Sequence, residues 1–279
     1  DALYRLLGTA DVFVHNMRPK AAEQLGIGYA EVAARNRNVI YASAAGYRRD
    51  SPYRDKPAFD DVIQGASGIS DLYVKAGGEP GFAPFAAADK IAGYVLASSI
   101  GMALFHRERT GEGQEVFVPM LDTLVAFNLQ EHYWGGIFEP PLGPWGYARM
   151  ATPHRRPFAT ADGHICVLCV TDAQWSRWFH ALDRPDLASD ERFATMRRRG
   201  ESFHELYGAI SEAMRTRTTA AWTEILNAAD VPCGPVQRLE DLPREEYFGN
   251  GRFFEVREHP TEGLLRTSVV PVEFSATPC

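Results

Sequence analysis

Residues 110–128, TGEGQEVFVPMLDTLVAFN, restrict the fold more than any other stretch of this chain. TGEG reads as a turn and QEVFV as a strand of β-branched and aromatic residues; Pro119 then marks the switch to a helix carrying Leu121, Leu124, Val125 and Leu129. A strand that runs through one proline into a helix is half of an α/β unit. It also places a carboxylate. Asp122 falls in the helix's first turn, where free amide donors and the positive end of the helix dipole favour the ionised form. First-turn aspartates are commonly helix-stabilising and nothing more, so the weight given to Asp122 depends on the residues around it.

Upstream, the same alternation repeats. Residues 2–7 predict a helix and 11–15 a buried, parallel-type strand, followed by helices over 19–25 and 29–34 and a second strand over 38–43. In a doubly wound sheet, ligands bind at the carboxyl ends of the strands. Those ends carry cations here: Arg18 after the first strand, and Arg48, Arg49, Arg54 and Lys56 after the second. A lone exposed arginine is ordinary, but a cluster at strand ends is not. A helix is predicted over 58–65, then comes a Gly/Ser/Pro-rich passage over 68–84, and a helix opening at Asp89 that continues through the apolar run 91–105, which reads as a buried helix too short to span a bilayer.

From 135 to 157 the composition shifts to proline and glycine without a clear period, as in a linker. Beyond it, 158–170 predicts a hairpin turning at residues 161–163, then helices begin at 171, 183, 197 and 220, the PCGP of 232–235 breaks the pattern, and strands follow over 253–256 and 269–274. The expected architecture is α/β: a large domain over 1–140, a linker and small α+β domain over 141–236, and a return segment over 237–279. The aromatics Trp134, Phe138, Trp145 and Tyr147 suit either an apolar pocket or simple packing.

Several function classes are disfavoured. A net charge of −7 argues against a nucleic-acid binder that depends on phosphate neutralisation. The four cysteines, 166, 169, 233 and 279, are too few for a disulfide framework and read as reduced structural thiols of a cytoplasmic protein. Cys166 and Cys169 have zinc-like spacing, but on a strand they would face opposite sides and no second ligand pair exists, so no metal is expected. Residues 65–68 lack the spacing of a nucleophile elbow, and no dinucleotide or phosphate loop is present.

Taken together, NMRP at 16–19, LGIG at 25–28, the run 38–46, ADK at 88–90, TGEGQ at 110–114, LD at 121–122, RRPFATADG at 155–163, PCGPV at 232–236 and HPTEG at 259–263 closely resemble the family III CoA-transferases, which include carnitine and formate CoA-transferases. The resemblance covers essentially the whole length. It implies a Rossmann-like large domain, a small domain and an interlocked homodimer, with a further α/β segment before Asp1 and a short tail after Cys279. It makes Asp122 the nucleophile, desolvated at a domain interface, for moving CoA from an acyl-CoA to a small carboxylic acid. Coenzyme A enters as substrate, with no permanently bound cofactor and no nucleic-acid or membrane partner. By position, the resemblance assigns Leu25, Gly26, Ile27 and Gly28 to the CoA adenine, Arg49, Asp50 and Ser51 to the loop beside it, Lys56 to phosphate, and Asp89, Lys90, Ile91 and Ala92 to the helix start next to the nucleotide. Only Gly143 and Gly146 stand where formyl-transferases carry a glycine run, which disfavours formate and oxalate. The racemases of the same fold pair their aspartate with a histidine in a Gly-His-Asp stretch; residues 57–60 here are PAFD, which weakens that alternative. A non-catalytic CoA-binding protein is the third reading.

Overall fold

The computed structural model describes residues 2–249, 251 and 253–277; Cys279 lies outside them. The chain divides into two compact units, Asp1–Arg155 and Arg156–Cys279. Residues 141–155 therefore fall with the first unit and 237–277 with the second.

The first unit is mixed α/β. After α1 (Ala2–Leu7) come β1 (Val12–His15), α2 (Pro19–Gln24), α3 (Tyr29–Ala33), β2 (Ile40–Ala45), α4 (Asp60–Ala66), α5 (Ile69–Lys75), α6 (Ala87–Thr110), β3 (Gln114–Pro119) and α7 (Met120–His132). The strands form a parallel sheet in the order β1-β2-β3, with Val12 opposite Ile40 and Ile40 opposite Gln114. β2 lies in the middle, which explains a sequence of apolar and small residues buried along almost its whole length. On one side of the sheet Leu7, Ala22, Ile27, Val32, Val39 and Tyr41 pack together. Elsewhere Ala42, Ala92, Leu96 and Val118 join β2 to α6 and β3.

The passage 68–84, for which no element was expected, holds α5, which starts from Gly68 at φ +91°, a left-handed backbone open to glycine, and is supported by the Asp71–Lys75 pair one turn apart. One expectation about this unit fails: helix α6 is not buried. Ala87, Ala88, Ala92, Leu96 and Ala103 form its buried stripe, while Tyr94 (78 %), Met102 (72 %) and Phe105 (65 %) are exposed. At 24 residues it is, by length and composition alone, long and apolar enough to cross a membrane, a test that core helices also pass. It ends on Gly111 at φ +76°, the usual left-handed stop.

The second unit has β4 (Phe158–Ala159), β5 (His164–Val167), α8 (Asp172–Ala181), α9 (Pro185–Ser189), α10 (Met196–Glu201), α11 (Phe203–Met214), α12 (Thr219–Ala228) and β6 (Cys233–Pro235). Helix α8 starts with a full capping box, Thr171 and Gln174 satisfying each other's backbone amides. β5 pairs antiparallel with both β4 and β6, so the PCGP stretch, expected only to break a helix, supplies the sheet's third strand. Its glycine and prolines are tolerated because β6 is an edge. Trp175, Trp178, Leu206, Ile210, Met214, Trp222 and Leu226 fill the core between helices and sheet. β7 (Phe254–His259) and β8 (Gly263–Ser268) then form a two-stranded antiparallel ribbon; the second strand lies ahead of the 269–274 expected for it.

Candidate functional site

The site begins where the three parallel strands end. Beyond β1 come Asn16, Met17 and Arg18; beyond β2 come Gly46 and the loop that reaches Lys56; beyond β3 comes Met120. These residues, with Phe59 and the α6 residues Asp89, Ala92, Gly93 and Leu96, line a cleft of about 860 Å³. Gly46 is required by close packing, since a Cβ there would lie 2.3 Å from that of Ala58.

Asp122 does not itself line this cleft but follows a residue that does, in the first turn of α7. It sits two residues after Met120, and the backbone amide of Leu121 donates to the Gly46 carbonyl (3.1 Å), tying the first turn of α7 to the end of β2. The Asp122 carboxylate faces Arg48 Nε at 3.3 Å, and the same nitrogen lies 3.6 Å from Asp50. With the whole chain present the Asp122 side chain is still 42 % exposed, so the desolvation expected of the nucleophile is not supplied by the described residues of a single chain.

Arg49 turns the other way. It is ion-paired with Glu115 and its guanidinium lies 4.4 Å over the Phe117 ring, both on β3. The pairing with Glu115 holds its charge on above the ordinary arginine range. With Gly28, Tyr29, Tyr41, Ser43 and His15 it lines a second cavity of about 330 Å³, and Met17 borders both cavities.

Of the other expected residues, Gly28 lines the smaller cavity and Lys56, Asp89 and Ala92 the larger, while Leu25, Gly26, Ile27, Asp50, Ser51, Lys90 and Ile91 line neither. Leu25 is exposed at the carboxyl end of α2, Gly26 takes a left-handed φ of +70°, and the Ile27 carbonyl accepts from Tyr41 Oη at 2.9 Å, leaving Gly28 at the smaller cavity. Ser51 Oγ accepts from the Tyr53 amide in the loop (3.1 Å). Lys56 lines the larger cleft with its ammonium 3.6 Å from the centre of the Tyr53 ring. The Asp89 amide donates to Asp60 (3.0 Å), and burial together with the nearby Asp60 charge raises the Asp89 carboxyl above its ordinary range. Lys90 lies over Phe85, Ile91 packs in the Tyr47, Ile63 and Leu124 cluster, and Ala92 is buried between α6 and the sheet.

Sequence reasoning missed the couple between His15 and Tyr41. His15 Nε2 is 2.6 Å from Tyr41 Oη, and His15 Nδ1 accepts from the Met17 amide at 3.1 Å. Because Tyr41 donates onward to Ile27, the consistent arrangement is a neutral ring carrying its proton on Nε2. Burial first, and then the Arg49 charge, lowers the His15 pKa; burial pushes Tyr41 up to about 12. The only signal for the pair was that a histidine closes one buried strand and a tyrosine lies in the next. The linker aromatics are engaged with one another, Trp134 stacked on Tyr147 at 4.7 Å and Tyr133 against Trp145 at 5.3 Å. The thiols differ, Cys166 on β5 being exposed and Cys169, beyond the end of that strand, buried, with burial pushing Cys169 up to about 12.

The chain is similar to several known proteins. The probable fatty acyl-CoA transferase Rv3272 of Mycobacterium tuberculosis is 33 % identical over 236 residues, covering 81 % of this chain and 60 % of its own. An acetyl-CoA:oxalate CoA-transferase of Acetobacter aceti is 31 % identical over 84 % of this chain and 61 % of its own, and the human succinyl-CoA:glutarate CoA-transferase is 27 % identical over 97 % and 62 %. This chain thus spans about three fifths of the length of these relatives. The crystal structure of Rv3272 in its orthorhombic form superposes with a TM-score of 0.83 at 27 % identity, covering 99 % of this chain and 72 % of that one. A CAIB/BAIF family protein from Brucella suis gives 0.79 at 25 % identity over the same shares. CoA-transferase family III matches residues 1–279 from end to end, and the chain belongs to that family.

Proposed function

We propose that this protein moves CoA from an acyl-CoA donor to a carboxylic acid acceptor, with Asp122 as the nucleophile. One observation carries the reading: a carboxylate in the first turn of a helix, at the carboxyl end of a parallel sheet, two residues after Met120, which lines a cleft together with Arg18 and Lys56. Asp122 attacks the thioester carbonyl, the C–S bond breaks, and CoA leaves as thiolate. The thiolate then attacks the Asp122 carbonyl of the anhydride, releasing the donor acid as its carboxylate and leaving an aspartyl-CoA thioester. The acceptor carboxylate attacks that thioester, and the expelled thiolate takes the acceptor's acyl group, regenerating Asp122. No proton is gained or lost overall, and the thioester energy is conserved rather than hydrolysed.

In this reading the cations Arg18 and Lys56 offset the CoA phosphates. The nucleotide end lies against residues 25–28 and Arg49, and the acyl end reaches Asp122 past Asp89 to Ala92. The protein works as a homodimer in a reducing, cytoplasmic setting. The relative that is named for oxalate leaves the glycine argument against that acid without support, so the acceptor class is set as carboxylic acids generally.

Replacing Asp122 with alanine is expected to lower transfer by at least ~1,000-fold while acyl-CoA still binds. Turnover retained within tenfold would remove Asp122 from the chemistry. Sedimentation equilibrium is expected to give twice the chain's 31.0 kDa; a single-chain mass at micromolar concentration would reject the dimer.

A further inference from the structure

The proposed chemistry leaves a charge problem at Asp122. The same few ångströms must hold an aspartate anion in the free enzyme and, once that aspartate is a neutral thioester, an incoming carboxylate anion. A single cation able to serve both would solve it, and Arg48 stands in that position, 3.3 Å from Asp122.

Its placement is built rather than incidental. The next residue, Arg49, is fixed to β3 through Glu115 and Phe117. Two residues before Arg48, the Gly46 carbonyl accepts from Leu121, beside Asp122 itself. One residue after Arg49, Asp50 approaches the same Arg48 nitrogen at 3.6 Å. The backbone around Arg48 is thus held to the strand and helix that carry the nucleophile, while its side chain stays 58 % exposed and reachable from outside. Nε makes the approach to Asp122, and a planar guanidinium offers a fork of donors matched to a carboxylate.

We infer that Arg48 is the receptor for the acceptor's carboxylate. This rests on the Asp122 reading. In the resting enzyme Arg48 is neutralised by Asp122 and Asp50. When Asp122 becomes an acyl derivative its negative charge disappears, leaving Arg48 with Asp50 and a free attraction for one more anion. The acceptor carboxylate that binds there lies beside the aspartyl carbonyl, and one of its oxygens attacks that carbon as the C–S bond breaks and thiolate departs. As the cycle closes, Asp122 regains its charge and displaces the product's former carboxylate contact from Arg48, which favours release. The ligand class is an organic acid with an ionised carboxylate next to the reacting centre; an uncharged nucleophile gains nothing from the residue.

The test uses the full chain with Arg48→Gln and Arg48→Lys. Succinate and glutarate are the acceptor probes, and hydroxylamine is a neutral one that also cleaves an aspartyl thioester. With Gln, the KM for the acid is expected to rise ~10–100-fold, the range of one charge-assisted hydrogen bond, while the KM for acyl-CoA and the rate of hydroxylamine capture move less than threefold. Lysine, which keeps the charge without the fork, is expected to fall between. An acid KM unchanged in the Gln variant, or an equal loss with acid and hydroxylamine, overturns the assignment. If the Gln variant does not fold, the same split is read from Lys, for which an unchanged acid-to-hydroxylamine ratio overturns it. Intact-mass measurement of the unmodified protein with acyl-CoA separates the two levels: no adduct on Asp122 defeats the nucleophile reading itself, whereas an adduct that reacts with acids independently of residue 48 defeats only this one.

Discussion

His15 illustrates how one side chain links the first strand's end to pH. Its ring lies between Phe13 and Tyr41, at 5.6 and 5.2 Å, and Nδ1 is occupied by the Met17 amide. Adding a proton there would place two N–H groups against each other, in addition to burying a charge near Arg49. The folded-state pKa is therefore lower than the ordinary 6.5, and the unfolded chain takes up the proton first. By linkage, the stability held above pH 6.5 is lost as pH falls from there through the folded-state value. The thermal midpoint should drop more steeply between pH 7 and 5 in the natural chain than in His15→Gln, which cannot titrate. Parallel slopes would show that the ring is not responsible. Residue types alone did not reveal this arrangement, because a histidine closing a strand has no partner in the sequence; Tyr41, 26 positions on, becomes one only through the β1–β2 pairing. Asp122 was legible for the opposite reason, since its strand, proline and helix are contiguous.

At the scale of elements, what the sequence disclosed depended on whether the stabilising interactions are local. Helices with their own caps or stripes, such as α8 with its capping box and α11 with Leu206, Ile210 and Met214 on one face, could be read from spacing. β6 could not. Three residues containing glycine and proline become a strand only because β5 offers an edge from 66 to 70 positions away. Helix α5 was hidden by the glycines around it, although the Asp71–Lys75 pair was visible in the sequence as an i,i+4 spacing. Helix α6 was recognised but misjudged. Apolar composition suggested burial all round, whereas the sheet of β1, β2 and β3 meets only its alanine and leucine stripe, and Tyr94, Met102 and Phe105 remain outside it. The same non-locality divides the site: the cleft residues come from five separate stretches, and their convergence follows from parallel strands ending on one side.

For the whole chain, the important division is between two cores that share no residue. The buried clusters of the first unit are drawn from residues 7–124, and that of the second from 158–231. Every residue placed in the proposed chemistry belongs to the first set of elements, so damage to the second core should be separable from it. Trp222 gives the sharpest probe. It is buried in α12, and its Nε1 donates to the Met214 carbonyl at 2.6 Å. Trp222→Ala removes a large apolar volume and leaves that carbonyl without its donor, at a cost of about 3–5 kcal/mol. Hydrogen exchange is the measurement that locates this loss, because local unfolding raises exchange only in the cooperative unit that opens. Amides of α8, α11 and α12 should exchange faster, while those of β1, β2 and β3 keep their protection and acyl-CoA affinity stays within about twofold of the natural chain. If protection collapses equally in the parallel sheet, the two cores unfold as one body. In that case the acceptor-binding and nucleophile residues could not be altered independently of the second unit's stability.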